Sequence, residues 1–183
     1  MNWRLTYAEK QNDDLKKSFL SQEGRPIIGK PMIKDCPKIE VRSDEGAIIR
    51  IQNGGEFGII NSPLGEVPMY FGEVYASKKN GGKYRTSCYL APSPSSATID
   101  FYVRPHKNGD EYFALVGNLI IFEYDKNGKP YDIASVKEGQ SRVVNYSKLV
   151  DGYRKYESKE ASDITDKDYE YILNNFIDNR KWK

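Results

Sequence analysis

The sequence predicts an α+β fold: a predominantly antiparallel β-meander, as a sheet or partly closed barrel, with an N-terminal helix and a C-terminal helical segment. Three observations predict it. Asn-Gly occurs at Asn53-Gly54, Asn80-Gly81, Asn108-Gly109 and Asn127-Gly128, each between segments rich in Val, Ile, Tyr and Phe. Tight hairpin turns need positive φ at their central residues, and Asn-Gly supplies it. Around residue 100 the chain alternates, with Ala97, Ile99, Phe101 and Val103 on one face and Thr98, Asp100 and Tyr102 on the other. That is the pattern of a sheet with one wet side. Finally, Thr165 and Asp168 have the spacing of a capping box with Asp in place of Glu. Behind them Tyr169, Ile172, Leu173, Phe176 and Ile177 form one apolar stripe.

In chain order, a first helix is expected from Thr6, with Glu9 three residues on, to about Leu20; its apolar face is thin, limited to Ala8, Leu15 and Phe19. A strand over residues 38–42 precedes four hairpins. Their arms are residues 47–52 with 57–61, 68–77 with 83–90, 98–104 with 111–116, and 119–125 with 131–136. Four consecutive apolar residues, 119–122, make that strand a central one covered on both faces. A strand over 141–146 follows, then a helix over 147–157 weakened by Gly152 at a cost of ~1 kcal/mol, a polar linker over 155–162, and the capped helix. The division is residues 1–22 for the N-terminal helix, 23–146 for the antiparallel β-domain and 147–183 for C-terminal helices packed on the same domain.

A chain of 183 residues with 38% hydrophobic and 30% charged residues buries enough surface for one core and lies outside the disordered range. No stretch approaches the roughly 18 apolar residues of a membrane span, and the first ten residues lack the apolar core of a secretory signal. With only two cysteines, Cys36 and Cys88, each read as a lone thiol, the expectation is a cytoplasmic protein without a membrane partner.

The net charge is only +2, but it is uneven. Between Val74 and Gly109 six basic residues, Lys78, Lys79, Lys83, Arg85, Arg104 and Lys107, face one acid, Asp100. Tyr75, Tyr84, Tyr89 and Tyr102 lie in the same window. Cations that follow a backbone, interleaved with rings on which bases stack, are what a sheet needs to hold single-stranded nucleic acid. The leading expectation is therefore a non-enzymatic module that contacts nucleic acid with those six cations on phosphate and those four tyrosines as stacking rings. Against it stands an ordinary alternative, since lysine-rich hairpin tips keep edges solvated and strand tyrosines commonly pack.

Two other functions compete. A β-rich module with fourteen tyrosines and exposed Pro-containing loops at 62–65 and 91–96 suits a protein partner, including a nucleic-acid-handling enzyme that it would occlude. Alternatively Asp100, Glu123 and Asp125 converge to hold a divalent metal in a nuclease-like site. The single histidine, His106, lies in a turn, so neither a nucleophilic triad nor a four-ligand zinc site is expected. No phosphate-binding glycine loop occurs, and no cofactor is expected. A closed meander would also enclose a small apolar ligand, though no residue pattern names one.

Overall fold

Along the longest strands every second side chain is apolar, and those side chains meet in one interior. Ile39, Val41, Ile49, Ile51, Phe57, Ile59, Tyr70, Val74 and Ala76 are buried together, as the two-residue period of a strand requires. The computed structural model describes residues 3–9, 33–63, 65–79, 82–148, 150 and 154–183. Among these, thirteen strands belong to one sheet. They are β1 (Trp3–Ala8), β2 (Ile33–Ser43), β3 (Ile48–Ser62), β4 (Gly65–Lys79), β5 (Tyr84–Arg85), β6 (Tyr89–Pro92), β7 (Thr98–His106), β8 (Gly109–Val116), β9 (Leu119–Tyr124), β10 (Pro130–Val136), β11 (Gln140–Tyr146), β12 (Tyr156–Ser158) and β13 (Ser162–Asp163). The described residues also include an α-helix, α1 (Asp166–Ile172), that runs into a π-helical turn, Leu173–Ile177, and then a 3₁₀ turn, Asn179–Trp182.

β1 to β4 form an antiparallel ribbon, and the far edge of β4 then serves two branches. Its second half pairs antiparallel with β7, which continues through β8 and β11 to β12. Near its start Met69 pairs in parallel with Arg85 of β5, and this branch continues through β6 and β9 to β10. The sheet is thus mixed and curls into a nearly closed barrel. β10 and β12 are the ends of the strand path, and no ladder joins them among the described residues. Arg142 of β11 spans that seam instead, donating from Nη1 to the Ser135 carbonyl (2.9 Å) and from Nε to the Lys159 carbonyl (2.7 Å).

A second, smaller core lies outside the barrel. Thr165 caps α1 by accepting from the Asp168 amide, and the helix lays Ile172 and Phe176 against Tyr75, Tyr102 and Phe113, with Trp182 closing the cluster. At about 1.5–3 kcal/mol for each fully buried large apolar side chain, this docking is a substantial share of the stability of a domain this size. It also covers part of the face of β7 expected to be wet.

Several expected elements are corrected. Thr6–Ala8 belong to β1 and not to a helix: β1 ladders onto β2, with Trp3, Leu5 and, past a register shift, Ala8 on the barrel core and Tyr7 on the outer cluster. Residues 10–22 of the expected helix lie outside the described residues. Asn53-Gly54 is not a hairpin turn but part of an irregularity inside β3, where pairing with β4 shifts between Gln52 and Glu56 and Asn53 adopts φ 62°. The arms flanking Asn80-Gly81, itself outside the described residues, do not form the expected antiparallel hairpin: their pairing, Met69 with Arg85, is parallel, and the second half of β4 pairs with β7. Tyr156 and Glu157 extend as β12, and with β13 they replace the expected helix end and linker. The hairpins at Asn108-Gly109 and Asn127-Gly128, the strands around 38–42 and 141–146 and the capped C-terminal helix are present as expected.

Candidate functional site

The basic window is dispersed by the sheet. Lys78 points to the barrel interior at its end, 8% exposed, with Nζ 3.6 Å from Glu45. Arg85 points outward on the other branch, where it pairs with Glu123 (3.1 Å) and lies over the Tyr89 ring at 4.2 Å. Arg104 bridges Glu111 and Asp168, each at 3.0 Å, and fastens β7 to the start of α1. Lys83 and Lys107 are exposed. Lys107 stands at the end of β7 opposite the Thr98–Lys79 pair. The side chain of Lys79 lies outside the described ones.

The four candidate stacking rings are all packed. Tyr84 is in the barrel core against Phe101 and Tyr70. Tyr75 and Tyr102 are in the helix-covered cluster, where Phe176 and Phe113 both stand about 5.2 Å from the Tyr102 ring. Tyr89 has Arg85 on its ring and Phe122 stacked at 5.5 Å. None of the four offers a free face to a base. Burial raises the Tyr75 hydroxyl to about 12, and it raises Tyr84 and Tyr102 still further, with the Glu73 carboxylate adding to the effect at Tyr102.

Nor do the three carboxylates converge. Asp100 accepts from the Ser77 hydroxyl (2.5 Å). Glu123 is held by Arg85 and by the Tyr156 hydroxyl (3.2 Å). Asp125 closes its own turn by accepting from the Asn127 and Lys129 amides. Among the described residues no group of three or more His, Cys, Asp or Glu is placed to hold a metal ion.

What the sheet does gather is a ring-lined cleft of about 440 Å³ beside the seam. β4 contributes Met69 and Phe71; the β5–β6 corner contributes Arg85, Thr86 and Ser87; β9 and β10 contribute Glu123, Tyr124 and Tyr131; and the other side of the seam contributes Tyr146, Arg154 and Tyr156. Phe71 and Tyr131 are 40% and 42% exposed. The Arg154 guanidinium lies over the Tyr146 ring at 4.6 Å. Tyr124 stands edge-on to Tyr89 and Phe122, so the rim continues into the packed rings behind it.

Polar groups beneath the cleft are tied to one another. Thr86 and Tyr112 share a hydroxyl hydrogen bond at 3.2 Å. Burial pushes Asp110 above the ordinary carboxylate range, an effect only partly offset by hydrogen bonds from Ser87 and Tyr112 and by the charge of Arg154. Burial likewise lifts the Cys88 thiol to about 12.

A second cleft, about 590 Å³, opens beside α1. Its carboxylate, Glu73, already accepts from the Tyr102 and Tyr171 hydroxyls, both at 2.5 Å, and from the Asn53 amide. The irregularity in β3 thus positions Asn53 on Glu73.

The residues of the ring-lined cleft come from β4, the β5–β6 corner, β9, β10, β11 and the β12 region, so no short motif reports them. The one hint in the sequence is the number of tyrosines. Compared with protein-family models, with curated proteins and with solved structures, the chain matches none. No helix among the described residues is long and apolar enough to cross a membrane.

Proposed function

We propose that this chain is a binding module whose partner is a protein, engaged through the ring-lined cleft at the barrel seam. The observation that carries the reading is the pair of half-exposed rings, Phe71 and Tyr131, on the rim of a cleft otherwise lined by Tyr124, Tyr146, Tyr156, Met69 and Arg154. Tyr, Phe, Met and Arg are the residues enriched where proteins meet, because rigid rings bury area at little entropic cost and an arginine serves as an anchor. A nucleic-acid partner draws less support: Lys78, Arg85 and Arg104 are already near carboxylates, and Tyr75, Tyr84, Tyr89 and Tyr102 are covered. Binding that depends on phosphate needs cations free to release counterions along one track.

A photocrosslinking amino acid at position 131, in a lysate treated with nuclease, tests this. The expected result is one discrete adduct that is absent when the probe sits at position 107 and is lost on Phe71→Ala. Equal labelling from both positions, or none, removes the protein reading. Salt-sensitive binding of a labelled 20-mer single strand that persists in the Phe71→Ala variant would return the case to nucleic acid.

A further inference from the structure

The C-terminal helix carries more apolar surface than the barrel covers. Of the five stripe residues, Ile172 and Phe176 face the barrel, whereas Tyr169, Leu173 and Ile177 are 40%, 53% and 38% exposed. These three follow one another in steps of four through α1 and the π-helical turn, which keeps them on one side. The two ends of this stripe differ in charge. Asp166 and Glu170 flank its beginning, and Arg180 and Lys181 follow its end, all four exposed.

We infer that this face pairs with the same face of a second copy of the chain, helix against helix and antiparallel, about a two-fold axis through Leu173. The stripe is symmetric about that residue. Leu173 then meets its own counterpart, and Tyr169 of each copy meets Ile177 of the other, as an isologous contact demands. The same operation sets the acidic beginning of one helix against the basic end of the other at both ends of the contact. A parallel pairing instead sets like charge against like. Arg180 already grips its own Asp178 through Nε and Nη2, yet its side chain is 88% exposed, so Nη1 remains open to a second carboxylate. The contact lies on the helix, independent of the cleft, so either function stands without the other.

Sedimentation velocity of the full chain over a wide concentration range tests the inference. The expected result is a mass that moves from one chain, 21.0 kDa, towards two. Leu173→Asp is expected to hold it at one chain throughout, with an unchanged circular-dichroism spectrum, since the residue is exposed. Asp166→Lys alone and Arg180→Glu alone each weaken association several-fold, and the two together in one chain restore it, because the swapped charges again meet across the axis. A wild-type chain that stays monomeric, or a Leu173→Asp variant that associates like wild type, overturns the inference. Assembly beyond two chains overturns the closed two-fold, and a charge double variant no better than its parents overturns the antiparallel arrangement.

Discussion

The Arg50 guanidinium donates to the Phe176 carbonyl oxygen at 2.5 Å and so fastens β3 to the turn that continues the C-terminal helix. The same side chain holds Glu40 (2.7 Å), reaches the Ile177 carbonyl and the Asn179 side chain, and lies over the Trp182 ring at 5.5 Å. Arg50 and Glu40 are both about 3% exposed, so water screens the pair little.

Removing Glu40 leaves Arg50 buried with neutral partners only among the described residues, whereas removing Arg50 leaves Glu40 with Arg42 and Thr6. Arg50→Met is therefore expected to destabilise the protein by about 1.5–3 kcal/mol, as the loss of hydrogen bonds from a charged group shared between Glu40 and the Phe176 carbonyl. Arg50→Lys keeps the charge but loses the fork that reaches the carbonyls, and is expected to recover only part of that loss. Urea titration of the two variants measures the difference.

Glu40 also sets an acid limit. Burial on its own pushes the carboxyl up, but hydrogen bonds from Arg42, Thr6 and Arg50 outweigh it and hold the group below its ordinary range. A carboxylate depressed in the folded state stabilises fully above its unfolded value of about 4.3, and that contribution is lost as pH falls through the folded value. Melting temperatures of wild type and Glu40→Gln are therefore expected to converge as pH drops below about 4, with Glu40→Gln the less stable at pH 7. A constant gap across that range would remove Glu40 from the account.

Tyr102→Phe removes one hydroxyl from Glu73 while the Tyr171 and Asn53 donors remain. Hydrogen bonds to charged groups are worth about 1.5–3 kcal/mol, so a loss within that range is expected. Calorimetric unfolding of Tyr102→Phe beside Tyr171→Phe checks it, and the more exposed Tyr171 is expected to cost less.

Two glycines separate packing from backbone conformation. A Cβ at Gly109 would collide with the Val144 carbonyl oxygen and stand 2.7 Å from the Asn145 Cα, so the β7–β8 hairpin and β11 must part to admit it. Gly128 has φ +76° and open space around it. Gly109→Ala is expected to cost at least the ~1–3 kcal/mol of overpacking, and Gly128→Ala the ~1–2 kcal/mol of a left-handed side chain. Equal losses in denaturant titration would refute the close approach.

The Cys88 thiol is buried, and its elevation to about 12 leaves little thiolate at pH 8. In a Cys36→Ser variant, reaction with a disulfide reagent is expected to be roughly a thousandfold slower than for an ordinary thiol of pKa 8.5, until denaturant exposes it. Fast labelling in the native state would contradict that burial.

Where turn chemistry and pairing are local, the sequence was readable. Asn127-Gly128 lies in the turn of the hairpin it predicts, Asn108 lies in the turn before β8, which Gly109 begins, and Thr165 caps the helix through Asp168. Asn53-Gly54 misled because positive φ serves a β-strand irregularity as well as a turn. The β4–β7 pairing joins segments that are not consecutive in the chain, and the β4–β5 pairing is parallel where a hairpin turn implies antiparallel strands, so no turn residue encodes either. At the N-terminus the alternation of Trp3, Leu5 and Tyr7 was present, but Thr6 and Glu9 offered a competing cap. The cleft was the least legible part: Phe71, Tyr131 and Arg154 lie far apart in the chain and become neighbours only when the barrel curls.

That curl is held at its last step by side chains, Arg142 and the Tyr156 hydroxyl on Glu123. Everywhere else along the strand path neighbours share main-chain rungs, whereas between β10 and β12 the Arg142 guanidinium clasps two carbonyls. Opening is expected to begin there, and the β10 amides that face the seam, which no ladder holds among the described residues, are expected to trade deuterium sooner than those that face β9. The cleft borders that moving hem, so a visitor that touches Tyr131 and Tyr156 together would act as a button across it.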